Sequence, residues 1–222
     1  MKIVTFSGID GAGKSTQIAF LKACLHDEGI QTASLTFWDD VAVLSRFREF
    51  ISHKAFRGDR GIGTPDKPLQ RRDKNVTSWP VIAARFVLYL ADSLNLRLVV
   101  NRVARTGVDV VIFDRYIYDE LANLPLDSWF AHRFADLLLS VTPKPDSAFL
   151  IDADPEVARA RKPEYPLAFL GDNRQSYLRL SRIMGNMTII DQRSIAAATA
   201  KMTEVAKAKL LPPDRDALPL AQ

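Results

Sequence analysis

Cysteine occurs only once in these 222 residues, at Cys24, so no disulfide can close within the chain. A lone thiol fits a reducing compartment, and the expected location is the cytoplasm. No apolar run approaches the roughly 20 residues that a bilayer-spanning helix needs. The first residues, MKIVTFSG, run into glycine too early for a signal peptide. His26, His53 and His132 are too scattered for a zinc-type ligand set. Charge of one sign is also scarce: the net charge is only +4. That mild excess suits a polyanionic small ligand better than nucleic acid, which is not an expected partner. Even the basic stretch from 53 to 74, with Lys54, Arg57, Arg60, Lys67, Arg71, Arg72 and Lys74, contains one aromatic residue, Phe56. Stacking on single-stranded bases needs more than that.

Strand and helix patterns alternate along the chain. KIVTFSG reads as a buried strand ending at Gly8. Helical spacing follows from Lys14 to Glu28, with Ile18, Leu21 and Leu25 on one face and Gly29 as the stop. A strand is expected over 30–37 and a helix over 41–52. Residues 53 to about 76 carry Gly, Pro and charge without apolar periodicity, and read as a long mobile loop. Thr77 or Ser78 can cap a long helix that runs to about Arg105. DVVIF, at 109–113, is a continuous apolar run and so a central parallel strand. Further helices are expected near 128–140, after Asp154-Pro155, over 172–185 and over 194–209, with strands at 147–152 and 187–191. The pattern predicts an α/β fold with a five-stranded parallel sheet and helices on both faces. One domain over 1–210 and a frayed tail over 211–222 are expected.

Gly8-Ile9-Asp10-Gly11-Ala12-Gly13-Lys14-Ser15 meets G-x-x-x-x-G-K-[ST] at each fixed position, between a strand and a helix. Glycines let backbone N–H groups converge on a phosphate, and the helix N-terminus adds a partial positive charge. Lys14 supplies a full charge, Ser15 a hydroxyl for Mg²⁺, and Thr16 continues the first turn. The implied ligand is a nucleoside triphosphate with Mg²⁺, which makes this a three-layer P-loop NTPase fold. Asp114 ends an apolar strand, where ligands of parallel sheets bind, and can join Ser15 around the metal. Arg115 beside it can grip a phosphate through two bonds. A switch GTPase would want an N-K-x-D element to read guanine, and the sequence has none. A small chain with these parts fits phosphoryl transfer to a small acceptor.

F-x-G-x-D-G-A-G-K-S-T at 6–16, DRY at 114–116 and LIDADPEVARARK at 150–162 resemble the thymidylate kinase family in order and spacing. The resemblance implies transfer of the γ-phosphoryl of ATP to dTMP with Mg²⁺, in a homodimer. It matches Asp10 to the P-loop acid facing the acceptor sugar, and Arg115 to the arginine of the acceptor-phosphate site. It also matches Tyr89 to the region of a base-stacking aromatic, and about 155–172 to a mobile lid. Gly11 stands where some family members carry a basic residue, so the missing cation is expected from Arg159 or Arg161, beside Lys162.

The chain departs from the family on the acceptor side. TFWDDVAVL at 36–44 replaces an R-E-P-G-G-T-like segment, and LYLADSLNLR puts Ser93 near the place of a second arginine. Each lost charge-assisted bond to phosphate costs about 1.5–3 kcal/mol. Arg46, Arg48 and Arg85 are candidate replacements. Trp38, Asp39 and Asp40 are expected to line the cleft, with the acceptor near Asp10, Trp38, Tyr89, Arg115 and Tyr116. The expected activity is a thymidylate kinase-like phosphotransferase with dTMP as acceptor. The alternatives are a kinase for another nucleoside, nucleotide or sugar, and a non-kinase ATP-binding regulatory module.

Overall fold

The structure is a computed structural model and describes residues 1–44, 79–124, 128–192 and 194–210. The basic loop at 53–76, the caps Thr77 and Ser78, Arg46, Arg48 and the tail at 211–222 lie outside the described residues.

Five strands form one sheet in the order β2-β3-β1-β4-β5, every neighbouring pair parallel. They are β1 (Lys2–Ser7), β2 (Thr32–Thr36), β3 (Val110–Asp114), β4 (Ser147–Asp152) and β5 (Met187–Asp191). The helices are α1 (Lys14–Asp27), α2 (Trp79–Ala104), α3 (Ile117–Leu121), α4 (Trp129–Val141), α5 (Pro155–Arg161), α6 (Leu167–Met184) and α7 (Ile195–Leu210). Four consecutive residues of β3 and five each of β1 and β4 are buried. Such strands lose both faces to helices, which is why their sequences do not alternate. Phe6, Phe113 and Phe149 are fully buried there; each contributes about 1.5–3 kcal/mol of transfer free energy.

α1 buries Gln17, Leu21 and Leu25. Asp154 caps α5 by accepting from Glu156 N–H at 2.8 Å, with Pro155 in the first turn. That cap satisfies a helix donor with no other partner. α6 begins at Leu167, earlier than the expected 172, and its first turn buries Leu170. Of the helix expected over 41–52, residues 45–52 lie outside the described residues. Phe37–Val41 form a single π-helical turn, and 42–44 are not helical. α3, one turn directly after Tyr116, was not expected at all.

The chain leaves β1 for β2 on one side of the sheet and leaves β3 for β4 on the other. β1 and β3 are neighbours, so their following loops diverge and open a crevice at the carboxyl edge. Asp114 pairs in register with Phe6 and with Thr36, which puts it at that edge.

Candidate active site

The glycines set the shape of the loop between β1 and α1. Gly8 has φ 142°, and a Cβ there would stand 2.5 Å from Ile151 O. Gly11 has φ 80°, and its Cβ would stand 2.1 Å from Ala158 O. Any side chain would therefore collide with the end of β4 or with α5, in a conformation that L-residues disfavour. α1 starts without a side-chain cap and with no acidic residue in its first turn. Its first N–H groups therefore remain available to an anion. Lys14 is buried, and its Nζ donates to Gly8 O at 2.9 Å and Ile9 O at 3.0 Å. Burial, helped by Arg115, pushes its ammonium down to about 8, against the pull of Asp10, Asp119 and Asp114. Ser15 and Thr16 are exposed at the mouth.

A cleft of about 460 Å³ opens beside them, lined by Ser15, Lys22, Thr36 and Asp114 among others. Asp114 Oδ1 is buried in it without a hydrogen-bond partner among the described residues. An orphaned carboxylate oxygen beside a serine hydroxyl fits a hard cation. Among the described residues, no three His, Cys, Asp or Glu side chains converge as a metal cage. Mg²⁺ commonly takes only one or two protein ligands and completes its shell with phosphate and water, so Ser15 and Asp114 match that ion.

Within electrostatic reach of Lys14 lies a charged cluster of Arg115, Asp10 and Asp119. Arg115 has φ 69°, unusual for a residue with a side chain, and its N–H donates to Phe6 O at 2.8 Å. Its guanidinium donates to Asp10 Oδ1 at 2.5 Å and Asp119 Oδ1 at 2.8 Å, with Tyr177 Oη at 3.4 Å. Burial works against the charge, but Tyr177, Asp119 and Asp10 hold Arg115 well above the ordinary arginine range. Tyr177 also stays protonated, through burial and then the Asp119 charge.

α5 lies across the loop at Gly11. Arg161 Nη1 comes within 3.7 Å of where a Cβ on Gly13 would stand, and Gln192 Oε1 within 3.3 Å. Arg159 lies on the same helix but is not among the atoms nearest that position. Asp152, ending β4, is held by Arg174 through bonds of 2.6 and 2.8 Å.

The expected acceptor residues divide. Asp10 and Arg115 meet in an ion pair. Trp38 is exposed just past β2, edge-on to Phe37. Tyr89, on α2, is partly buried against the core. Tyr116 needs correction: its ring is fully buried against Phe113 and Tyr118, and its hydroxyl donates to Pro143 O at 2.6 Å. It is a core residue, because DRY leads straight into α3 and turns that side chain inward. Asp40 is likewise committed, accepting from Thr36 N–H at 2.6 Å. Ser93 is buried, and the neighbouring Asp92 accepts from Val43 N–H at 2.6 Å, tying α2 to the chain beyond β2. Asp119, Tyr177 and Gln192 were not anticipated. Only Asp119 left a trace in the sequence, four residues after Arg115 and thus at helical ion-pair spacing.

The strand order, the phosphate-binding loop and the carboxylate at the end of β3 define a P-loop kinase. A probable thymidylate kinase of Methanothermobacter thermautotrophicus is 30% identical over 199 residues, covering 86% of this chain and 87% of its own. A probable thymidylate kinase of Pyrobaculum aerophilum is 27% identical over 216 residues, covering 93% and 97%. A thymidylate kinase of Pelodictyon phaeoclathratiforme is 27% identical over 176 residues, covering 77% and 71%. No family model matches the chain. The chain belongs to the thymidylate kinase family, and it is an ATP-dependent nucleotide kinase, a phosphotransferase.

Proposed function

We propose that this kinase transfers the γ-phosphoryl group of ATP to dTMP. The observation that carries the reading is that Lys14 lies within electrostatic reach of two groups of residues. One group is the open helix N–H groups, Ser15 and the orphaned Asp114 oxygen; the other is the Asp10–Arg115 pair. Residues 8–16 hold the triphosphate, with Lys14 turning from its loop carbonyls toward the phosphates. Ser15 and Asp114 hold Mg²⁺, which when bound supplies charge neutralisation on the phosphate oxygens. Arg115 orients the acceptor phosphate and Asp10 the acceptor's sugar hydroxyl. Trp38 and Tyr89 flank the base. Arg161, and less directly Arg159, brings a further positive charge over the loop, with 155–172 acting as the lid. Such a transfer depends on positioning and charge, because the protein makes no covalent bond to the phosphoryl group.

The kinase names of the relatives support dTMP as acceptor. The missing acceptor-side arginines favour a second reading, in which the acceptor is another nucleotide or a nucleoside. A panel decides between them: ATP·Mg²⁺ with nucleoside monophosphates, nucleosides and sugars, followed by ADP release. The proposal expects turnover stimulated by dTMP above the rest and lost in Lys14→Ala. Greatest stimulation by another member would replace dTMP with that acceptor. We also propose a homodimer working in the cytoplasm. Among the described residues, no helix is long and apolar enough to cross a membrane.

A further inference from the structure

We propose that Asp119, assisted by Tyr177, is the positioning residue of the acceptor side. It fixes the Arg115 guanidinium so that the donors left over face the acceptor phosphate. This rests on the reading above that Arg115 meets that phosphate.

Asp119 is 3% exposed and sits where three elements converge. Its Oδ2 accepts from Ser7 Oγ of β1 at 2.7 Å and from Tyr116 N–H at 3.2 Å. Its Oδ1 accepts from Tyr177 Oη of α6 at 2.5 Å and from Arg115 Nη1 at 2.8 Å. A carboxylate offers about four lone-pair positions, so four donors fill it. It has no freedom to swing. Asp10, by contrast, lies on a loop with its side chain 25% exposed.

The arginine shows the consequence. A guanidinium has about five N–H donors in a rigid plane. Arg115 directs them at Asp10, Asp119 and Tyr177, three partners in all. Two donors remain. With one edge pinned to an immobile carboxylate, the plane cannot rotate, and the remaining donors keep one direction. The left-handed backbone at Arg115 is held by the same arrangement, since Tyr116 N–H, the next donor along the chain, ends on Asp119.

Asparagine at this position keeps the shape but breaks the logic. Its amide nitrogen must face either Arg115 and Tyr177 or the Tyr116 N–H, and donor then meets donor. Tyr177→Phe removes a single oxygen and leaves Asp119 in place.

The test uses the full chain with ATP·Mg²⁺ and dTMP as the probe acceptor, and compares wild type, Asp119→Asn and Tyr177→Phe. Asp119→Asn should raise the KM for dTMP about tenfold, as for one charge-assisted contact, with the KM for ATP within about twofold. Tyr177→Phe should raise it about three- to fivefold, less than Asp119→Asn because Asp119 keeps its charge and its bonds to Ser7, Tyr116 and Arg115. A second readout needs no turnover: the Nη1–H resonance of Arg115, the donor bonded to Asp119, assigned by its disappearance in Arg115→Lys. It should exchange slowly with water in wild type and quickly in Asp119→Asn. Parallel rises in both KM values, or slow exchange in both proteins, would overturn the proposal. Should Asp119→Asn not fold, Tyr177→Phe decides by the same selective rise or its absence. If dTMP neither turns over nor shifts the Arg115 resonance in wild type, the dTMP reading fails. The exchange comparison still decides the positioning role.

Discussion

Lys14 is the residue whose state the fold changes most. Its ammonium is enclosed by the loop it serves, and burial brings its pKa from 10.5 to about 8. A bound triphosphate would favour the charged form and push it back up. ATP binding at pH 8.5–9 should therefore take up a proton, and affinity should fall as pH rises past about 8. Calorimetry in buffers of differing ionisation enthalpy reads the proton directly; no uptake would contradict the enclosure. The sign for stability is opposite. Between about 8 and 10.5 the unfolded chain binds more protons than the folded one, so the penalty from this residue eases with rising pH. Below pH 8 the penalty is complete. Lys14→Met should thus be more stable than wild type at pH 7, by up to about 3 kcal/mol, with the gap closing above pH 8 in urea titrations. Turnover in Lys14→Met should drop by about a hundredfold or more.

At the scale of elements, the decisive contact is α5 against the P-loop. Gly11 has no room for a Cβ because the Ala158 carbonyl lies against it. A basic side chain at position 11 is therefore incompatible with this docking of α5, while Arg161 reaches the loop from α5 itself. Gly11→Ala should displace the helix and raise the KM for ATP at least tenfold, since a shift of about 1 Å in a positioned group can cost a hundredfold. Arg161→Ala should lower kcat by roughly a thousandfold if its guanidinium reaches the transferring phosphoryl. Arg159→Ala should cost much less. Equal losses in the two variants would show that contact with the loop does not single out Arg161. The same helix begins with a good cap and a proline, so it forms locally and needs tertiary contacts only to be aimed.

At the scale of the whole molecule, the exposed side of α2 carries an apolar stripe. Val87, Leu94 and Leu98 are 69%, 49% and 62% exposed, spaced so that they share one face. This supports the proposed homodimer. Light scattering after size exclusion should give twice the mass of 24.8 kDa. A Leu94→Glu, Leu98→Glu double variant should run as a monomer at the same concentration, because two charges would enter a desolvated contact. A wild-type monomer at micromolar concentration would remove the dimer from the account.

Local patterns in the amino-acid order were enough for the P-loop, the strand that ends at Asp114 and the capped helix after Asp154. Each rests on neighbours a few residues apart: glycines at fixed offsets, an apolar run, a cap with proline. The order also brought forward Asp10 and Arg115 as partners of one site, through the family likeness. It could not reveal that Tyr116 turns into the core while Arg115 turns out, since one short helix decides both. Nor could it reveal Asp119 as a hub. Its donors Ser7 and Tyr177 lie 112 and 58 residues away, on β1 and α6. Such contacts come into being only when parallel crossovers set distant segments side by side. Local chemistry determined where a phosphate can be held; the tertiary structure alone decided how the arginine beside it is aimed, because direction comes from buried hydrogen bonds between elements that are remote along the chain.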